Sequence, residues 1–117
     1  KEATLQALKI VDVCLGRLVR AVEASGGFML ITGDHGNAEE LTKMRTGEAD
    51  KEHSTNPVPL VIVGSAFKGK TSRSGEAPEG DLSLLSPSGG LCDIAPTFLS
   101  LLGIEQPLEM TGHSLWP

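Results

Sequence analysis

Hydrophobic positions near the start of the chain recur at steps of three and four residues, with mainly polar and charged side chains between them. This is the period of a half-buried helix. The pattern predicts a helix over residues 2–24, ended by Ser25, Gly26 and Gly27, because glycine readily adopts the left-handed conformation at a helix C-terminus. The apolar stripe of this helix consists of Leu8, Val11, Leu15, Leu18 and Val22.

Two short apolar runs are typical of strands buried on both faces. The first, residues 28–32, follows the helix directly, and the second, residues 60–63, begins after two prolines. A second helix is predicted to begin after Asp93, its N-cap, and to stop at Gly103. Strands of this type need neighbouring strands and helices on both faces, which two helices cannot supply. The pattern indicates an α/β fold that is part of a larger sheet domain.

The remaining segments have no hydrophobic period. Residues 33–56 are predicted to form a loop with a short helix near 38–43. Residues 65–90 are rich in Gly, Ser, Pro and Lys, and we expect a surface excursion there. The tail, residues 104–117, is predicted to pack as an extended arm.

Composition excludes several classes of partner. The 117 residues carry a net charge of −5, with three Phe, one Trp and no Tyr, so neither a basic surface nor stacking aromatics are available for nucleic acid. The longest apolar runs are far shorter than the roughly 20 residues of a bilayer-spanning helix, so we expect no membrane partner. Cys14 and Cys92 are predicted to be buried small hydrophobes in a reducing compartment.

The candidate chemistry lies directly after the first strand. Ligands collect at the carboxyl ends of strands in open α/β sheets, and Asp34 and His35 follow the strand on a turn between two glycines. Carboxylate and imidazole together suit Mn²⁺, Zn²⁺ or Fe²⁺. The alternative is a turn-forming aspartate beside a surface histidine. His53 stands in a loop that could fold back over the first strand.

Three ligands make an incomplete set, because a closed site needs about four and a two-metal site needs more. The nearby carboxylates are expected to form a solvated acidic loop: Glu39, Glu40, Glu48, Asp50 and Glu52. A serine hydrolase built from Asp34, His35 and Ser54 is disfavoured, because adjacent Asp and His cannot easily form a relay and no Gly-x-Ser-x-Gly elbow occurs. His113 has no visible partner and is predicted to be structural or exposed.

Three strings of residues carry a specific resemblance. Leu30 to Glu39, His53 to Pro59 and Asp93 to Thr97 resemble the C-terminal part of cofactor-independent (2,3-bisphosphoglycerate-independent) phosphoglycerate mutases, members of the alkaline phosphatase superfamily. The resemblance implies that residues 1–117 are the C-terminal portion of an incomplete metal-binding domain. The implied fold is a three-layer α/β/α domain with a mostly parallel central sheet.

The resemblance also implies a reaction. Members of this family interconvert 3-phosphoglycerate and 2-phosphoglycerate in glycolysis and gluconeogenesis through a phosphoserine, with two divalent ions, Mn²⁺ in particular, and without 2,3-bisphosphoglycerate. Carried onto this sequence, Asp34 and His35 would bind one ion and His53 the other. The serine nucleophile is expected outside this chain, which would be inactive alone. The implied parent is a cytoplasmic monomer whose partner is the small phosphoglycerate substrate.

Two alternatives remain open at the level of sequence. One is another enzyme of the same superfamily, such as a phosphodiesterase, a sulfatase or a phosphopentomutase, because the Asp-His-Gly turn is widely shared. The other is a non-catalytic module that binds a metal ion or a partner chain through unpaired sheet edges.

Overall fold

The computed structural model describes residues 2–36, 54–70 and 87–116. It contains, in chain order, α1 (Glu2–Ala24), β1 (Met29–Thr32), β2 (Leu60–Val63), a 3₁₀ turn (Ser65–Phe67), a second 3₁₀ turn (Leu91–Asp93) and α2 (Ile94–Leu102). The chain divides into two compact units, Lys1–Lys68 and Gly69–Pro117. The predicted helix near residues 38–43 lies outside the described residues.

The end of α1 is set by glycine. Gly26 has a φ of 71°, and its N–H donates to the carbonyl of Glu23 at 3.1 Å, while the N–H of Gly27 donates to the carbonyl of Val22 at 3.0 Å. These two bonds form a Schellman motif, which satisfies carbonyls that the helix itself leaves without partners. The predicted helix and its stop are confirmed.

β1 and β2 form an antiparallel pair, in register from Met29 opposite Val63 to Thr32 opposite Leu60. The predicted α/β class is confirmed, whereas the two described strands run antiparallel and do not show the mostly parallel sheet that the resemblance implies. The prediction that both strands are buried on both faces is wrong for the described chain. Their residues are half-buried, with Thr32 and Val61 exposed, because each strand has one neighbour among the described residues.

An aromatic contact in the first unit joins the residue before β1 to the 3₁₀ turn after β2. The rings of Phe28 and Phe67 meet edge to face with centroids 5.9 Å apart, so the 3₁₀ turn after β2 packs on the residue that precedes β1. Gly64 is buried at this contact, and a Cβ there would lie 3.0 Å from that of Phe28. Lys68 continues the turn with an ion pair to Glu23 of α1 at 3.1 Å. The predicted excursion over residues 65–90 therefore begins with an ordered turn, and its central part, 71–86, lies outside the described residues.

The second unit is built on α2. Gly103, with a φ of 68°, ends the helix, and the N–H of Ile104 donates to the carbonyl of Leu99 at 3.0 Å, a second Schellman motif. The tail then returns along the helix start, because the N–H of His113 bonds to Asp93 and that of Leu115 bonds to Thr97. The predicted helix is confirmed, and the tail packs on it as expected.

Hydrophobic side chains remain accessible throughout the described residues, none of which is a buried hydrophobe. Half of the exposed large ones among the described residues lie on α1: Leu5, Leu8, Ile10, Val11, Val13 and Leu18. Cys14 and Cys92 are both free and exposed, so the prediction that they are buried is wrong. Cys14 lies on α1 and Cys92 in the second 3₁₀ turn, and no layer among the described residues covers either side chain. No described helix combines the length and apolar character that crossing a bilayer requires.

Candidate metal centre

The turn that follows β1 is held against the chain that enters β2. Gly33 is half-buried, and a Cβ at this position would lie 3.2 Å from Cγ1 of Val58. A larger residue would push the two segments apart by a few tenths of an ångström. β1 ends at Thr32, directly before Gly33. Asp34 and His35 therefore lie at the carboxyl end of this strand.

The side chains of Asp34 and His35 lie close together. Nε2 of His35 lies 3.6 Å from Oδ1 of Asp34. Two ligands that are each about 2.1 Å from one tetrahedral ion lie roughly 3.4 Å apart, so this separation fits a shared cation. The carboxylate is 87% exposed and the imidazole 33%, so the aspartate faces water while the ring is partly shielded.

The other nitrogen of the imidazole is bonded to backbone. Nδ1 of His35 lies 3.0 Å from the carbonyl oxygen of Gly36. The same oxygen accepts a bond of 2.8 Å from the N–H of Ser54. Gly36 and Ser54 thereby form an isolated antiparallel bridge beyond the end of the β1–β2 ladder.

This bridge does not continue the register of the sheet. Between the pair Thr32 and Leu60 and the pair Gly36 and Ser54 lie three residues on one side and five on the other. The longer side has two extra residues, and the two segments meet again at the bridge. The loop before β2 therefore does fold back to the end of β1, as the sequence predicted.

The proposed ligand His53 lies outside the described residues, as do the five acidic residues of the loop. Its chain neighbour Ser54 is bonded to Gly36, which is the neighbour of His35. Across the described ranges, Asp34 and His35 are not joined by a third Asp, Glu, His or Cys in a grouping able to hold an ion. The assignment of His53 to a second ion stays a prediction.

A second polar cluster, in the unit that contains α2, is formed by Asp93 and Thr97, and the role predicted for Asp93 in it is wrong. Asp93 was predicted to cap α2, yet its side chain makes no capping bond to that helix. Asp93 is only 5% exposed, and its carboxylate accepts from the N–H of Gly90 at 2.8 Å and from the N–H of His113 at 2.9 Å. These donors, Gly90 first, hold the pKa of the Asp93 carboxyl below its ordinary value because they stabilise the charged form, although burial opposes them.

Thr97 completes this cluster from one turn further along α2. Its hydroxyl, which is fully buried, donates to the carbonyl of Asp93 at 2.6 Å and accepts from the N–H of Leu115 at 2.9 Å. Gly112 passes so close to the carbonyl of Cys92 that a Cβ would overlap it. The sequence does contain a signal for this contact: Gly112 lies on one side of it, and Gly89 and Gly90 precede Cys92 on the other. Glycine permits close approach of two backbones. His113 is exposed, which is one of the two outcomes predicted for it, and it contributes its backbone N–H to this cluster.

The chain is similar to known proteins over most of its length. Residues 1–106 match the metalloenzyme superfamily. The 2,3-bisphosphoglycerate-independent phosphoglycerate mutase of Pseudomonas syringae pv. tomato is 46% identical over 114 residues, 97% of this chain and 19% of that protein. An enzyme of the same description, from Methanosarcina barkeri, is 44% identical over the same length.

A solved structure is also similar. The phosphoglycerate mutase of Leishmania mexicana, crystallised at low cobalt concentration, matches with a TM-score of 0.67 and 27% identity, over 96% of this chain and 21% of that chain. This chain thus spans about a fifth of the length of the relatives it matches. The matches confirm the α/β fold class and the resemblance to phosphoglycerate mutases. By its match over residues 1–106, the chain belongs to the metalloenzyme superfamily.

Proposed function

We propose that this chain is the metal-binding C-terminal portion of a cofactor-independent phosphoglycerate mutase. The observation that carries the proposal is the pairing of Asp34 and His35 across 3.6 Å at the end of β1, in a chain 46% identical to such a mutase. The reaction interconverts 3-phosphoglycerate and 2-phosphoglycerate through a phosphoserine. The serine is supplied by sequence outside these 117 residues.

Asp34 and His35 hold one divalent ion in this proposal, and His53 holds the second. We favour Mn²⁺, and carboxylate with imidazole also accepts Zn²⁺, Fe²⁺ or the cobalt named for the Leishmania enzyme. When bound, the ions lower the pKa of the serine hydroxyl and offset charge on the phosphoryl oxygens. Asp34 contributes a negative charge to the site, and the partly shielded ring of His35 contributes a directed nitrogen.

The exposed apolar residues support the proposal that residues 1–117 are an incomplete domain. Six large hydrophobic side chains of α1 are exposed, and the described strands have one neighbour each. Burial of apolar surface contributes about 25 cal/mol per Å² to folding, so a sheet domain rarely leaves such a helix uncovered. In the complete enzyme this surface packs against further layers. We place that enzyme in the cytoplasm as a monomer that binds phosphoglycerate and neither nucleic acid nor membrane.

A chimera tests the function without knowledge of the flanking sequence. This chain replaces the matching segment of the Pseudomonas syringae enzyme, and the interconversion of the two phosphoglycerates is measured with added Mn²⁺. We expect activity in the chimera and a loss of at least about a hundredfold in its His35→Ala form, because metal ligation supplies several kcal/mol and each factor of ten is about 1.4 kcal/mol.

The control is a chimera carrying Lys68→Met, a change outside α1 at a side chain that is 71% exposed, which should retain activity. A folded chimera that fails to interconvert phosphoglycerates contradicts the proposal. Hydrolysis of a simple phosphate ester in its place would favour a phosphodiesterase or phosphatase of the same superfamily.

A further inference from the structure

The carbonyl oxygen of Gly36 accepts two hydrogen bonds at the edge of the candidate centre. Nδ1 of His35 lies 3.0 Å from it, and the N–H of Ser54 donates to it at 2.8 Å. A backbone carbonyl has two lone pairs, so both bonds form together. One oxygen thus joins the turn after β1 to the segment that leads into β2.

This contact determines which ring nitrogen of His35 carries the proton. A carbonyl oxygen can only accept, so Nδ1 must be the donor in a bond of this length. In a neutral imidazole the other nitrogen, Nε2, is then unprotonated. Nε2 is also the atom that lies 3.6 Å from Oδ1 of Asp34. The lone pair of Nε2 is therefore on the side of the ring that lies near the Asp34 carboxylate.

We propose that the Gly36 carbonyl is the positioning group of the metal centre, and that the Ser54 N–H holds it in place. It fixes His35 in the tautomer that offers Nε2 to the cation. This inference rests on the proposed metal site at Asp34 and His35. Ligating histidines commonly donate their second N–H to a carbonyl or carboxylate, and loss of such a partner weakens metal binding by about 10–100-fold.

The bridge has a second consequence for the site. Ser54 directly follows His53, so the bond that orients His35 also fixes the backbone next to the other proposed ligand. Metal affinity at His35 consequently depends on a backbone N–H at position 54 and is independent of the serine side chain.

The first measurement reads the tautomer in the absence of metal. The 117-residue chain is labelled with ¹⁵N-histidine, and two-bond ¹H–¹⁵N correlations are recorded at a pH above the ordinary pKa of histidine. The His35 signals are assigned by their loss in His35→Gln. We expect Nδ1 to be protonated and Nε2 to be unprotonated in His35. A ring with the proton on Nε2 overturns the inference.

The second measurement titrates Mn²⁺ and follows paramagnetic broadening of the His35 ring signals. Ser54→Pro removes the N–H, whereas Ser54→Ala removes the hydroxyl and keeps it. For Ser54→Pro we expect the His35 signals to broaden only at an Mn²⁺ concentration at least about tenfold higher, and the ring to show both tautomers. Ser54→Ala should broaden at the same Mn²⁺ concentration as the unmodified chain. Proline also restricts the preceding residue, so a chain with an ester in place of the Ser54 amide, which lacks the N–H and that restriction, is titrated in parallel.

The outcomes separate this inference from the proposed function. Equal Mn²⁺ dependence in the unmodified chain and the ester variant overturns the positioning role and leaves the metal site intact. Failure of Mn²⁺ to broaden His35 in the unmodified chain overturns the metal site itself, and with it the role of the carbonyl. Weaker binding in Ser54→Pro and in the ester variant, with Ser54→Ala unchanged, supports both.

Discussion

The backbone N–H of His113 donates to Oδ1 of Asp93 across 2.9 Å, although the two residues are 20 positions apart in the chain. The other carboxylate oxygen accepts from the N–H of Gly90 at 2.8 Å. One buried charge thus fastens the tail to the start of α2. Buried carboxylates are stable only when such donors replace the lost water, so we expect this contact to control the stability of the second unit.

Acid is expected to release the tail. The pKa of Asp93 is lower in the folded chain than its ordinary value, chiefly because of the N–H of Gly90. Its contribution to stability is therefore present above the unfolded pKa and is lost as pH falls through the folded pKa. Hydrogen exchange at the His113 amide should accelerate relative to the intrinsic rate as pH drops below about 4. In Asp93→Asn this added pH dependence should disappear, and its persistence would contradict the assignment.

The buried hydroxyl of Thr97 provides a second prediction. It donates to the carbonyl of Asp93 and accepts from the N–H of Leu115. Thr97→Val keeps the shape but leaves buried polar groups without a partner, at a cost of about 1–3 kcal/mol in the free energy of unfolding. Thr97→Ser keeps the hydroxyl and should cost less. Denaturant titration of the three forms measures the difference, and equal stability of the valine and serine variants would show that the hydroxyl contributes nothing.

Two glycines beside the tail should respond differently to alanine. A Cβ at Gly112 would overlap the carbonyl of Cys92, whereas one at Gly90 would meet the sulfur of Cys92 at 3.7 Å, an ordinary contact. Overpacking costs typically 1–3 kcal/mol, so Gly112→Ala should lower the midpoint of unfolding markedly. Gly90→Ala, which keeps the N–H that bonds to Asp93, serves as the control. If both variants unfold at the same denaturant concentration, the close approach at Gly112 is not real.

The ion pair between Glu23 and Lys68 should matter little, despite its length of 3.1 Å. The lysine side chain is 71% exposed, and ion pairs in water contribute about 0–1 kcal/mol. Lys68→Met should therefore change the unfolding free energy by less than about 1 kcal/mol, with a smaller difference at high salt. A larger loss would mean that this pair determines how the 3₁₀ turn packs on α1.

Local patterns in the sequence were enough to predict the two α-helices and the two strands that the structure describes. The ends of α1 and α2 follow from Gly26 and Gly103, because a positive φ is a property of the residue and its immediate neighbours. The strands follow from continuous apolar runs, and the Asp34 and His35 pair follows from its place after β1. Each of these inferences needed fewer than about ten consecutive residues.

Features that depend on distant partners could not be predicted in this way. Asp93 has the residue type and position of an N-cap, but its donors include an amide 20 residues away, which no local pattern encodes. Burial failed for the same reason in Cys14 and in both strands, since burial depends on which layers cover a surface. The change of register by two residues between the sheet and the Gly36–Ser54 bridge could not be predicted either, because the pairing of two loop segments produces no hydrophobic pattern in the sequence.

Anomalous diffraction can show whether Asp34 and His35 share one cation. Crystals of the 117-residue chain, or of the chimera, are grown with Mn²⁺, and data are collected at a wavelength where manganese scatters anomalously. We expect one peak about 2.1 Å from both an Asp34 carboxylate oxygen and Nε2 of His35. A manganese peak that contacts neither residue, or that contacts His35 through Nδ1, would contradict it.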